Sequence, residues 1–226
     1  MTIKESSLQG VFEEHGARRK RLYTKNLTPG KRVYDENLVR KGPIEYREWN
    51  PRKSKLAAAI MNGTSQIGLR AGRSVLYLGA STGTTVSHVS DIVENGCVFA
   101  VESAPRMMRD LVFVCEQRKN VAPILGDAGQ PATYAGCCLP VDCVYQDIAQ
   151  RNQVGIFLAN VDAFLKKGGF GLLAVKARSI DVAARPRDIY RRVRTALEEH
   201  RGITIVDYRE LEPFEHDHCL FVVKKK

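Results

Sequence analysis

The rhythm of hydrophobic and polar positions changes near residue 74. Upstream, short mixed runs cover Gly10–Glu14, Arg21–Leu27, Lys31–Tyr34 and Ile44–Glu48, and the turns Thr28-Pro29-Gly30 and Lys41-Gly42-Pro43 separate them. This pattern predicts a small antiparallel β subdomain over residues 1–52. A helix over residues 53–61 follows, ending at Asn62-Gly63. Downstream, apolar strands at 74–78, 97–101, 121–125, 141–145 and 170–175 alternate with helical periodicity at 84–94, 104–118 and 153–165. Unbroken apolar strands between helices predict a parallel sheet covered on both faces. A helix near 187–200 (Ile189, Val193, Leu197) leads to Ile203–Tyr208 and Cys219–Val223. No crossover helix joins those last two strands, so they should be antiparallel. The expected architecture is α/β and Rossmann-like, with a mostly parallel sheet over residues 53–226 whose last strand is antiparallel.

One segment carries more than fold. Val75–Leu78 is an apolar strand, and Gly79-Ala80-Ser81-Thr82-Gly83-Thr84-Thr85 is a turn of small residues from which a helix starts at once. Glycines admit close backbone approach, and the N–H groups at a helix start form a polar cradle. Glu102 ends the second strand, seventeen residues past Thr85. A carboxylate there is placed to accept hydrogen bonds from ribose hydroxyls. The turn is Gly-x-x-x-Gly; it lacks the glycines that seat a pyrophosphate and the Gly-Lys-Ser/Thr of a phosphate loop. A phosphate-free nucleoside cofactor, S-adenosylmethionine, fits better. Gly126-Asp127-Ala128 ends the third strand, where a carboxylate and a backbone N–H can read an adenine edge.

Composition adds limits. The 226 residues suffice for one sizeable α/β domain with an appendage, and no stretch approaches the apolar length of a membrane helix. No apolar run follows Met1–Glu5, so no secretory signal is expected and Asn62-Gly63-Thr64 carries no glycosylation meaning. Lys and Arg number 35 against 25 acids, a net charge of +10 that favours polyanionic partners. Basic clusters lie at Arg18-Arg19-Lys20-Arg21 and at Arg185, Arg187, Arg191, Arg192 and Arg194. The six cysteines have no metal spacing and read as reduced core residues of a cytoplasmic protein. His216 and His218 have no third ligand cluster beside them, so no metal site is expected.

The same residues closely match a known family. Tyr77-Leu78-Gly79-Ala80-Ser81-Thr82-Gly83-Thr84-Thr85-Val86-Ser87-His88-Val89-Ser90-Asp91 resembles the cofactor loop of the fibrillarin family, the RNA 2′-O-methyltransferases of box C/D ribonucleoproteins. Trp49-Asn50-Pro51 with Ser54–Ala59, Gln146–Gln150, Ala174–Asp181 and Glu212–His218 resemble its other motifs in order. The glycine–arginine-rich tail of eukaryotic members is absent, as in the compact archaeal form. The resemblance implies catalytic residues at Lys55, Asp147, Lys176 and His218. It implies cofactor contacts at Gly79, Ala80, Ser81, Gly83, Thr84, Thr85, Glu102, Ser103, Asp127, Ala128, Asp147 and Gln150. It further implies a Nop-family scaffold protein, a guide RNA that pairs with the target RNA, and, indirectly, a kink-turn-binding protein. The chain departs from the family at Ser103-Ala104, where Phe-Ser is usual and the aromatic ring could stack on adenine.

The strand pattern supports the implied chemistry independently. Asp147 follows the fourth strand, Lys176 ends the fifth, and an antiparallel last strand brings His218 back to the same carboxyl edge, where open α/β sheets bind ligands. Methyl transfer to a ribose hydroxyl needs alignment, a proton acceptor and a cation beside the developing alkoxide. Lys176 and Asp147 suit the hydroxyl, and Lys55 and His218 suit holding Asp147 and the sugar-phosphate. Two other readings share these residues: methylation of a protein glutamine, and a non-catalytic scaffold with a vestigial pocket.

Overall fold

The computed structural model describes residues 2–16 and 20–226, so Arg18 and Arg19 of the first basic cluster lie outside the described residues. Five short strands, β1 (Thr2–Glu5), β2 (Phe12–His15), β3 (Leu22–Lys25), β4 (Leu38–Lys41) and β5 (Ile44–Trp49), form an antiparallel sheet in the order β1-β2-β3-β5-β4. Lys31–Tyr34 does not join it. The Glu36 carboxylate accepts the N–H groups of Val33 (2.9 Å) and Tyr34 (2.8 Å), which a strand would have needed for pairing. The edge strands β1 and β4 were not expected from the pattern, because their polar, largely exposed residues show no apolar alternation.

Helix α1 (Lys55–Met61) starts at Ser54, whose hydroxyl accepts the Ala57 N–H. The second sheet then alternates with helices: β6 (Ser74–Leu78), α2 (Thr84–Ile92), β7 (Cys97–Glu102), α3 (Pro105–Glu116), β8 (Val121–Leu125), β9 (Val141–Gln146), α4 (Gln153–Phe164) and β10 (Leu165–Lys176). After α5 (Ala177–Ile180) and α6 (Pro186–Glu199) come β11 (Ile203–Glu210) and β12 (His218–Lys225). The order is β11-β12-β10-β9-β6-β7-β8, and only β12 runs against its neighbours. This is the expected sheet. Strand β10 begins earlier than the apolar run suggested, with an irregularity between Leu165 and Phe170. Alternate residues of β6 feed opposite faces: Val75 and Tyr77 pack with α1 and α2, and Leu76 and Leu78 with α4. Both faces are therefore covered, and polar residues with functional reach are left to the strand ends.

A buried ionic cluster fastens the first sheet to α2. Arg47 on β5 pairs with Glu36 (2.7 Å) and with Asp91 (2.9 Å), and Asp91 also pairs with Arg118 (2.6 Å). His88 is buried between the Thr24 hydroxyl (2.8 Å) and the Tyr34 hydroxyl (2.7 Å) and stacks on Trp49. Thr24 gives its own proton to Asp91 (2.8 Å), so His88 Nδ1 donates to Thr24, while Nε2 faces the Tyr34 hydroxyl, which also lies 3.1 Å from the Glu48 carbonyl. Burial, with the charges of Arg47 and Arg118, holds its pKa well below the usual histidine value and so favours the neutral ring. Cys143 and Cys219 are buried, as expected of core thiols, and Cys137 is exposed.

Candidate cofactor and acceptor site

The carboxyl ends of β6 to β9 enclose a cavity of about 340 Å³ lined by Gly79, Ser81, Glu102, Ser103, Gly126, Ala128, Asp147 and Gln150, with Val101, Ile148 and Ala149 completing the wall. Gly79 has φ +82°, and a Cβ there would lie 2.3 Å from the Asp147 carbonyl oxygen, so only glycine fits. Ser81 is also left-handed (φ 49°), which aims its N–H at Glu102 Oε2 (2.7 Å). The Ala104 N–H holds the other oxygen at 2.8 Å. Glu102 is thus fixed by two main-chain donors, and each carboxylate oxygen keeps lone pairs for a ligand's hydroxyls.

Asp127 lies between the lining residues Gly126 and Ala128 without itself forming part of the wall, and its Oδ1 accepts the Gly129 N–H (2.8 Å) and Nε2 of the lining residue Gln150 (3.1 Å). Those two bonds, the Gly129 N–H foremost, hold the Asp127 carboxyl below the usual range. The remaining residues expected at the cofactor stand behind the wall. Ala80 is buried and donates to the Val101 carbonyl, and Gly83 starts α2 against Leu111 and Val114. The Thr85 hydroxyl donates to Ser54 (3.1 Å), and Thr84 faces a second cavity beside Tyr34 and Arg118. These four shape the loop rather than line the pocket. Among the described residues no lysine or arginine lines the cavity to neutralise a pyrophosphate, whereas two carboxylates suit a ribose and a sulfonium. The donor set therefore fits S-adenosylmethionine.

The acceptor side adjoins it. Asp147 sits one residue past β9, with its N–H on the Leu78 carbonyl (2.9 Å). Lys55, brought in by the first turn of α1, meets both its oxygens, at 2.9 and 3.0 Å. Lys176, the last residue of β10, lies opposite His218, the first of β12. Among the described residues its ammonium has no ion-pair partner. His218 Nδ1 donates to the His216 carbonyl, which leaves the lone pair on Nε2, a buried atom with no partner among the described residues. Burial lowers the His218 pKa, against the His216 carbonyl and with Lys55, so the ring is neutral at pH 7. The structure thus gathers all four expected residues at one edge.

Two buried glutamines stand beside them: Gln146, which opens the Gln146–Gln150 motif, and Gln153, which sequence reasoning missed. Gln153 binds the main chain of Lys176, and the only signal was a polar residue opening an apolar helix. The arginines in and just before α6 are exposed but lie among acidic side chains. Arg185, Arg187, Arg191, Arg192 and Arg194 each have a carboxylate within 2.9 to 3.8 Å.

Sheet order and cavity together define a Rossmann-like S-adenosylmethionine-dependent methyltransferase. A family model, Fibrillarin, matches residues 2–226. The chain belongs to the fibrillarin family. It is 51% identical over 221 residues to a fibrillarin-like rRNA/tRNA 2′-O-methyltransferase of Methanocaldococcus jannaschii, covering 97% of this chain and 95% of that one. The crystal structure of Aeropyrum pernix fibrillarin with natively bound S-adenosyl-L-methionine is similar at TM-score 0.90 and 42% identity, covering 99% of this chain and 98% of that one. A fibrillarin/Nop5p complex is similar at TM-score 0.88 and 38% identity, covering 99% of this chain and 100% of that one.

Proposed function

We propose that this protein transfers a methyl group from S-adenosylmethionine to ribose 2′-hydroxyls of rRNA and tRNA, as the catalytic subunit of a box C/D guide ribonucleoprotein. The observation that carries the reading is the convergence of the Lys55–Asp147 pair, Lys176 and His218 beside a nucleoside-sized cavity that, among the described residues, has no cationic lining. When bound, S-adenosylmethionine supplies an electrophilic methyl on a sulfonium. The chain's own residues do the rest. Glu102 and Asp127 hold the ribose and adenine ends. Lys55 fixes the Asp147 carboxylate with two contacts, so that one face of it is turned to the acceptor. Asp147 accepts the hydroxyl's hydrogen bond and takes its proton as the methyl transfers. The Lys176 ammonium favours the negative charge growing on that oxygen. His218 Nε2 offers a neutral acceptor to the sugar.

Target choice comes from a guide RNA that pairs with the substrate, and a Nop-family scaffold seats the subunit; a kink-turn-binding protein joins indirectly. The similar fibrillarin/Nop5p complex and the net charge of +10 support this. The free cysteines support a cytoplasmic setting.

The test is reconstitution with scaffold, kink-turn protein and guide RNA, using S-adenosylmethionine tritiated in its methyl group. Label is expected on one ribose of the guide-paired strand, with the isolated protein binding cofactor yet barely methylating free RNA. Label appearing on glutamine of a protein acceptor, or no transfer at all, overturns the reading.

A further inference from the structure

Strands β9 and β10 pair in parallel as far as Gln146 opposite Leu173, and then the ladder stops. Asp147 and Lys176 both lie beyond that point, so the ladder does not set the spacing between them. On its other side β10 stays paired with β12 through to Lys176 opposite His218. The side of Lys176 that β9 abandons meets a side chain instead. The Lys176 N–H donates to Gln153 Oε1 at 3.0 Å, and Gln153 Nε2 donates back to the Lys176 carbonyl at 3.1 Å.

A primary carboxamide carries the same donor and acceptor as a peptide group. Gln153 therefore stands where a continuation of β9, three residues beyond Gln146, would have paired. It is fully buried, and so is Gln146, whose Nε2 donates to the Gln153 main-chain carbonyl at 2.7 Å. Gln146 immediately precedes Asp147. The two glutamines form a continuous bridge from the end of β9 to the end of β10. Among the described residues the Lys176 ammonium has no ion-pair partner, so its direction follows from how its main chain is held.

We propose that Gln153 is a positioning residue: its amide fixes the Lys176 peptide and so sets the distance of the ammonium from Asp147 and from the acceptor oxygen. This rests on the reading of Lys176 as the group that acts on that oxygen. Gln153 touches neither cavity nor acceptor, so cofactor binding does not depend on it. A lysine free to swing would lose alignment, and a misplacement of about 1 Å costs on the order of 100-fold in rate.

The test uses Gln153→Leu and Gln153→Glu in the reconstituted guide ribonucleoprotein. Both should lower kcat by about 10- to 100-fold, with the RNA KM and the cofactor Kd within about twofold. Gln153→Glu should recover toward wild type as pH falls, because a neutral carboxyl regains the donor that the Lys176 carbonyl needs. A readout free of RNA is carbon NMR of protein labelled at lysine Cε. The Lys176 resonance, assigned by its loss in Lys176→Arg, should move in Gln153→Leu while that of Lys55 stays. A kcat within twofold of wild type with an unmoved Lys176 resonance overturns the proposal. So does a loss of cofactor binding in step with kcat, which marks general damage. A fully active Lys176→Ala overturns instead the role of Lys176, leaving the two failures distinct.

Discussion

Asp91 offers the most demanding test of what holds the first sheet to the methyltransferase sheet. Its Oδ1 accepts Arg118 Nη1 (2.6 Å) and the Leu27 N–H (3.2 Å), and its Oδ2 accepts Arg47 Nη1 (2.9 Å) and the Thr24 hydroxyl (2.8 Å). Arg47, Arg118, Glu36 and Asp91 are all at most 1% exposed at the side chain, and their charges cancel. Asp91→Asn keeps the shape and leaves one buried positive charge. Breaking one partner out of a buried pair costs about 3–5 kcal/mol. Against a typical total of about 5–15 kcal/mol, that is a large share of the fold's stability. Equilibrium urea unfolding with linear extrapolation measures it, and the m-value should not change. Adding Arg118→Met restores the charge balance around Arg47 and Glu36, so the double variant should be about 2 kcal/mol more stable than additivity allows. Cofactor affinity of the folded fraction should hold, because Asp91 lies at the opposite end of α2 from the Gly79–Thr85 loop. A cost under about 1 kcal/mol, or losses that simply add, would refute the argument from charge balance.

Three further outcomes are expected. Lys176→Ala should lower methyl transfer by about 10²- to 10⁴-fold while calorimetry finds cofactor binding intact; equal losses of both sink its role. Ser103→Phe puts an aromatic ring in the cavity wall, and base stacking worth about 1–3 kcal/mol should tighten cofactor binding by about 5- to 150-fold, whereas an unchanged Kd removes stacking from the account. His88 is held neutral in the folded state, while in the unfolded chain it takes up a proton below about pH 6.5. The unfolded state then binds more protons, so stability is retained above that pH and falls below it, by about 1.4 kcal/mol per pH unit from this group. The difference between wild type and His88→Gln, followed by urea unfolding from pH 7 to 5, should carry that slope.

The methyltransferase sheet was legible because its strands are buried on both faces, and runs such as Val75–Leu78 and Leu172–Val175 announce that without help. The first sheet was read in part. Its edge strands Thr2–Glu5 and Leu38–Lys41 bury little and so have no apolar rhythm, and Lys31–Tyr34 has the composition of a strand but spends its N–H groups on Glu36. The ionic cluster was invisible for another reason. Arg47, Asp91 and Arg118 are residue types that ordinarily face water, and only the docking of β5 against α2 and the turn after α3 brings them together. At the site, strand-end logic placed Asp147, Lys176, His218, Glu102 and Asp127 at one edge. It could not separate the loop residues that line the cavity, Gly79 and Ser81, from Ala80, Gly83, Thr84 and Thr85, which support it. Gln153 acts through its side-chain amide on a backbone 23 residues away, and no spacing rule encodes that.

The missing side chain at position 79 has a consequence for how rigidly two segments of the site are spaced. The Gly79 backbone rests directly against the carbonyl of Asp147, with no room for even one carbon between them. Side-chain rotamers jitter on the nanosecond scale, and any spacer built of them would smear the gap between these two segments. Here main chain abuts main chain. The spacing between the cofactor loop and the segment that carries Asp147 is therefore set by main chain alone, whatever the surrounding side chains are doing.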